Sequence, residues 1–162
     1  SRVVGQERMK KKRSRDKDEA QVEKCLKGAE VVDRYELMET NSMFRQACAE
    51  GDIKSAGALL QRGPLNPEEV DKETGMHALG LASLHGHAEL VRLLMSCGIA
   101  QTPNSFGWTP LHFASGNGHA DVVKVLLDAG GDQQSANIDG LLPFHLASSN
   151  GHSHVLQVLG NG

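Results

Sequence analysis

The chain is predicted to fold as an all-α solenoid of about four helix–turn–helix units with short finger loops, preceded by a charged, partly helical extension. Three observations carry that expectation. A period of about 33 residues runs through residues 41–162. Each unit holds an alanine four residues before a glycine, at Ala47/Gly51, Ala82/Gly86, Ala114/Gly118 and Ala147/Gly151, spaced by 35, 32 and 33 residues. After each glycine, apolar residues recur at helical spacing. Units this small cannot bury their own cores, so neighbours must stack. Their limits fall near 41–70, 71–103, 104–136 and 137–162.

The extension covers residues 1–40 and carries eleven Lys and Arg against nine Asp and Glu. Residues 41–162 carry six against eleven, so the formal charge of −3 conceals a balance of +2 followed by −5. Lys10 to Arg15 hold five of the basic residues. Such a run acts as a nuclear-import or nucleic-acid patch, or is a solvated tail. The absence of interleaved aromatics and the acidic repeats favour the tail and argue against a nucleic-acid partner. Val22, Cys25, Leu26, Ala29, Val32 and Leu37 then predict a helix over about residues 18–38, at a cost of about 1 kcal/mol for Gly28. Its apolar stripe either covers the open face of the first unit or docks onto another protein.

The first unit keeps Phe44, Ala47, Gly51, Asp52, Leu59 and Leu60 among polar residues, as a terminal capping unit would. The second pairs Leu79 and Ala82 with Leu90, Val91, Leu93 and Leu94. In the third, Thr109 is placed to cap a helix and Pro110 sits where a missing N–H costs nothing. Leu111 and Ala114 share a face, Gly118 tolerates the positive φ that ends the helix, and Val122, Val123, Leu126 and Leu127 form the stripe of a second helix. The fourth repeats this with Phe144, Ala147, Val155, Leu156, Val158 and Leu159. Its Leu146, Val155, Leu156 and Leu159 leave an interior face open, so a covering partner subunit, further sequence or self-association is expected at this end. The connection from Gly63 to Gly75 is two residues long and that from Gly98 to Gly107 one short, which predicts distorted fingers without loss of a repeat.

The third unit reads Gly107-Trp108-Thr109-Pro110-Leu111-His112-Phe113-Ala114, then Gly118-His119 and Val122-Val123-Lys124-Val125-Leu126-Leu127. This resembles the ankyrin repeat, and the resemblance covers residue 41 to the end. The second unit departs most, with His77-Ala78-Leu79-Gly80 at the Thr-Pro-Leu-His positions; the fourth has Leu142 for the threonine but retains Pro143 and His145. The resemblance implies that His87, His119, His152, His112 and His145 hydrogen-bond within and between repeats. It implies a non-catalytic protein-interaction module, an adaptor or scaffold subunit that grips a partner protein through the concave face of fingers and inner helices. The matching positions are Met76, Leu84 and His85; Ser105, Phe106, Trp108 and Asn117; and Ile138, Asp139, Leu141 and Asn150. Large apolar side chains in successive fingers point to an interface, and Trp108, the only tryptophan, is of the type most enriched at hot spots. The competing readings are a targeting or regulatory segment of a larger enzyme or nucleic-acid-associated protein, and an architectural subunit of a large assembly.

No Gly-x-Ser-x-Gly, Gly-x-x-x-x-Gly-Lys or His-Glu-x-x-His motif occurs. No enzymatic activity, cofactor or metal is therefore expected; His85/His87 and His152/His154 offer two ligands each, short of a tetrahedral shell. Cys25, Cys48 and Cys97 form no close pair, and Cys48 and Cys97 are expected as small buried apolar groups in a reducing compartment. No apolar run approaches membrane-spanning length. An intracellular setting, cytoplasmic or nuclear, is expected, with an organelle interior left open.

Overall fold

A computed structural model describes residues 34–62, 65–72 and 74–161. The chain divides into two compact units, Ser1–Glu39 and Thr40–Gly162. Most of the helix expected over residues 18–38 lies outside the described residues. Its described end does not stop at Met38: residues 34–50 are helical and form α1.

Among the described residues seven further helices follow: α2 (Ile53–Arg62), α3 (Ala78–Leu84), α4 (Ala88–Ser96), α5 (Pro110–Gly116), α6 (Ala120–Asp128), α7 (Pro143–Ser149) and α8 (Ser153–Gly160). Among the described residues no strand occurs. The inner helices α3, α5 and α7 pack in succession on one another. So do the outer helices α2, α4, α6 and α8, and α3, α5 and α7 each also pack on the outer helix that follows them. The result is two helical layers around one continuous core. Leu79, Leu90, Leu94, Leu111, Leu126, Val122, Val123 and Val155 are fully buried in it, joined by Phe44 and Cys48 from α1. The repeated alanines Ala47, Ala82, Ala114 and Ala147 are all buried, and their single methyl groups permit close helix approach.

Local chemistry explains where helices begin. Thr109 caps α5, its hydroxyl accepting from the His112 N–H while the Thr109 N–H donates to His112 Nδ1 at 3.1 Å; Pro110 opens the first turn. Asp52 caps α2 by accepting from the Lys54 and Ser55 N–H groups, both at 3.1 Å. The long connection after α2 is tied to α1 by Asn41, which is buried: its Oδ1 accepts from the Asn66 N–H at 3.0 Å and its Nδ2 donates to Glu69.

Of the two spacing anomalies, only the one in the second unit appears as a finger distortion; the distortion expected between Gly98 and Gly107 is not found in the finger itself. Fingers three and four close by a backbone bond from Asn104 N–H to Trp108 and from Asn137 N–H to Leu141, four residues on; in finger two Asp71 N–H reaches Met76, five residues on. One added residue therefore sits inside the second finger. The missing residue of the third unit lies before Asn104, where the finger itself is unchanged.

Two expectations are corrected. Cys48 is buried, but Cys97 is exposed, because it caps the C-terminus of α4 beyond Leu94, the last buried residue of that helix. At the fourth unit Val155 and Leu159 are already buried by α6 and α7, Leu146 and Leu156 are half-buried, and within α7 and α8 the large exposed apolar side chain is Phe144.

Candidate functional site

The inner helices are seven residues long, so their ends stand about 10 Å apart. That length separates the sequence-derived candidates into two rows. Met76, Ser105, Phe106, Trp108, Ile138, Asp139 and Leu141 belong to the fingers at the N-terminal ends. Leu84, His85, Asn117 and Asn150 lie at the C-terminal ends.

The finger row is apolar and built on fixed turns. Asn104 Oδ1 accepts from the Phe106 and Trp108 N–H groups at 3.0 and 2.9 Å, and Asn137 Oδ1 accepts from Asp139 and Leu141, both at 2.9 Å. The Ile138 N–H donates to the Phe106 carbonyl at 3.1 Å, joining the third finger to the fourth. Gly107, at φ 76°, makes that approach possible: an added Cβ would stand 3.0 Å from Asn137 Cα. On this frame Phe106 is 55% exposed, Ile138 68% and Leu141 37%. Ser105 and Asp139 are exposed beside them, and Met76 is half-buried. Trp108 differs. It is half-buried, its ring stacked on Phe113 at 5.6 Å and tilted against His112 at 5.8 Å.

The second row is polar and largely committed to the solenoid. Leu84 is half-buried and its carbonyl accepts from His119 Nε2 at 2.9 Å. Asn117 Nδ2 returns to the Phe113 carbonyl at 2.8 Å, and Asn150 Nδ2 donates to Gly116 at 2.7 Å. His85 is exposed, its ring stacked 6.1 Å from that of His87.

The histidines perform two tasks. His87, His119 and His152 precede the outer helices, and their Nε2 atoms bond the carbonyls of Ala49, Leu84 and Gly116 in the preceding units at 2.9, 2.9 and 3.0 Å. His112 spans a unit and the next finger: Nδ1 accepts from Thr109 N–H, so the proton is on Nε2, which donates to the Leu141 carbonyl at 2.9 Å. Burial pushes its pKa below the ordinary 6.5, opposed by the Leu141 carbonyl, which favours the charged form. His77 was missed in this role. It stands at the threonine position of the second unit, and its Nε2 donates to the Thr102 carbonyl at 2.6 Å, in the connection that leads to the third finger. The residue type alone was the available signal, since the partner lies 25 positions away.

Among the described residues no three His, Cys, Asp or Glu side chains converge on a metal position, and no helix is long and apolar enough to cross a membrane. A groove of about 380 Å³ between the outer helices α4 and α6 is lined by side chains of both signs, Glu89, Asp121 and Asp128 with Arg92 and Lys124.

Paired antiparallel helices stacked in two layers, linked by fingers and tied by histidines from unit to unit, define a helical repeat solenoid. A family model described as ankyrin repeats (3 copies) matches residues 44–137 and 99–162. The chain belongs to the ankyrin repeat family, whose domains generally serve as protein–protein interaction modules and are typically non-catalytic.

Proposed function

We propose that this chain is an adaptor or scaffold subunit that holds a partner protein on its finger row, with Phe106, Ile138 and Leu141 as the apolar contact and Ser105 and Asp139 at its polar edge. The observation that carries this reading is the hydrogen-bonded pair of fingers that leaves Phe106 and Ile138 more than half exposed. A surface already ordered in the free protein loses little entropy on binding, and large apolar side chains on such a frame are the usual anchors of an interface. Met76 extends the row toward the second finger, whereas Trp108 supports it from behind. Leu84, His85, Asn117 and Asn150 form a polar flank at the far end of the inner helices. The balance of −5 over residues 41–162 favours a partner whose contact surface is rimmed by basic side chains.

The test is affinity capture from native extract with quantitative mass spectrometry, comparing the wild-type chain with Phe106→Ala/Ile138→Ala. A protein enriched by the wild type and depleted at least tenfold by the double variant supports the reading. An unchanged set of captured proteins contradicts it.

A further inference from the structure

The outer helices α4 and α6 carry their charges in matched rows. They pack side by side as equivalent helices of successive units, 32 positions apart. Glu89 is therefore level with Asp121, and Arg92 with Lys124. Across the groove of about 380 Å³ between these helices, acid faces acid and base faces base, and Asp128 adds an acidic step at the far end. The rows are confined to this groove: at the same positions α2 has Lys54 and Gly57, and α8 has His154 and Gln157.

Charges so placed are poorly neutralised from within. Like charges level with each other repel. Opposite charges alternate along each helix, but their contact is loose. Arg92 reaches Glu89 at 3.8 Å with the two side chains 63% and 74% exposed, and among the described residues Asp121, Lys124 and Asp128 have no ion-pair partner. Beneath them Val125, 7% exposed, gives the groove an apolar floor. The steps have helical dimensions: Asp121 to Lys124 rises about 4.5 Å and Lys124 to Asp128 about 6 Å. A second helix laid in the groove matches those rises with residues i, i+3 and i+7, or i, i+4 and i+7 when it runs the other way.

We propose that this groove docks an α-helix of a partner protein that presents base, acid and base along one stripe. One basic residue enters between Glu89 and Asp121, the acidic residue between Arg92 and Lys124, and the second basic residue meets Asp128. Charge complementarity in a fixed order identifies the occupant, because a helix with the reverse order sets like against like at every step. The groove lies on the outer layer, whereas the finger row stands at the ends of the inner helices. Two proteins are therefore held at once on separate faces, and the groove binds whether or not the finger row does.

The probe is a pair of alanine-based peptides of about 20 residues, long enough to be helical in water. One carries Lys at i and i+7 with Glu at i+3 and i+4, and so fits in either direction; the other exchanges the two residue types. Length, composition and net charge are identical. Amide chemical shifts of the 162-residue chain, followed by NMR through a titration, report affinity and site together. The expected result is binding of the first peptide at least tenfold tighter than the second, with shifts concentrated in residues 88–96 and 120–128. The preference inverts in Glu89→Lys/Arg92→Glu/Asp121→Lys/Lys124→Glu/Asp128→Lys, whose five positions are all exposed. Phe106→Ala/Ile138→Ala leaves both affinities unchanged. Equal affinities for the two peptides, binding of neither, or shifts confined to the fingers overturn the proposal. So does concentration-dependent movement of the α4 and α6 amides in the chain alone, which makes a second copy the occupant.

Discussion

Gly86→Ala tests whether the histidine sockets hold the units together. The substitution acts twice. It places a β-carbon at φ 80°, a left-handed conformation that costs an L-residue about 1–2 kcal/mol. It also puts that carbon 2.5 Å from Nδ1 and 2.7 Å from Cε1 of His119, so the ring must leave. With it goes the Nε2 bond to the Leu84 carbonyl, a net loss of about 1 kcal/mol. A total of about 2–3 kcal/mol follows. Urea unfolding of wild type, Gly86→Ala, His119→Ala and the double variant separates the contributions. Once the ring is absent only the backbone cost remains, so Gly86→Ala falls to about 1–2 kcal/mol in the His119→Ala background, with a coupling of at least 1 kcal/mol. Additivity within about 0.5 kcal/mol would refute the socket. Gly151→Ala, whose β-carbon meets nothing, is the external control and carries the backbone cost alone.

Phe106→Ala leaves stability within about 0.5 kcal/mol, whereas Trp108→Ala costs about 2 kcal/mol by removing the stack on Phe113; equal midpoints in thermal unfolding would contradict the assignment of Trp108 as support. The lowered pKa of His112 means that the unfolded chain takes up this proton first. Its contribution is complete above the ordinary 6.5 and is lost as pH falls below it toward the folded value. His112→Gln therefore flattens the acid limb of the stability profile, and a folded-state imidazole titrating above 6.5 by NMR would reverse the sign. Of Cys48 and Cys97, only Cys97 reacts with maleimide under native conditions, because burial pushes the Cys48 thiol up to about 12; peptide mapping showing native modification of Cys48 would contradict its place in the core.

The repeat was legible because its strongest marks are local. Thr109-Pro110 starts a helix and Gly118 ends one wherever they occur, and the Ala-to-Gly spacing reports the length of the inner helix directly. What escaped depends on neighbours. His77 sits in a unit stripped of the usual residues, and only stacking reveals that it meets Thr102. Phe144 and Leu111 occupy equivalent positions with opposite exposure, and it is the packing of α7 on α5 that covers Leu111. The finger candidates were read as a single surface, yet the length of α5 divides Phe106 from Asn117, and the ring of Trp108 turns back onto Phe113. Cys97 was placed inside as part of a helical repeat position; the end of α4 one residue earlier turns it outward.

The most direct test of the binding role is calorimetric affinity for a captured partner, measured with the wild type, with Phe106→Ala/Ile138→Ala, and with Lys124→Ala/Asp128→Ala on the outer helices. The finger-row account predicts a loss of about 2 kcal/mol or more, roughly thirtyfold, for the first double variant, and a change below about twofold for the second. Equal affinities for the wild type and the finger variant, with the fold intact, would contradict it.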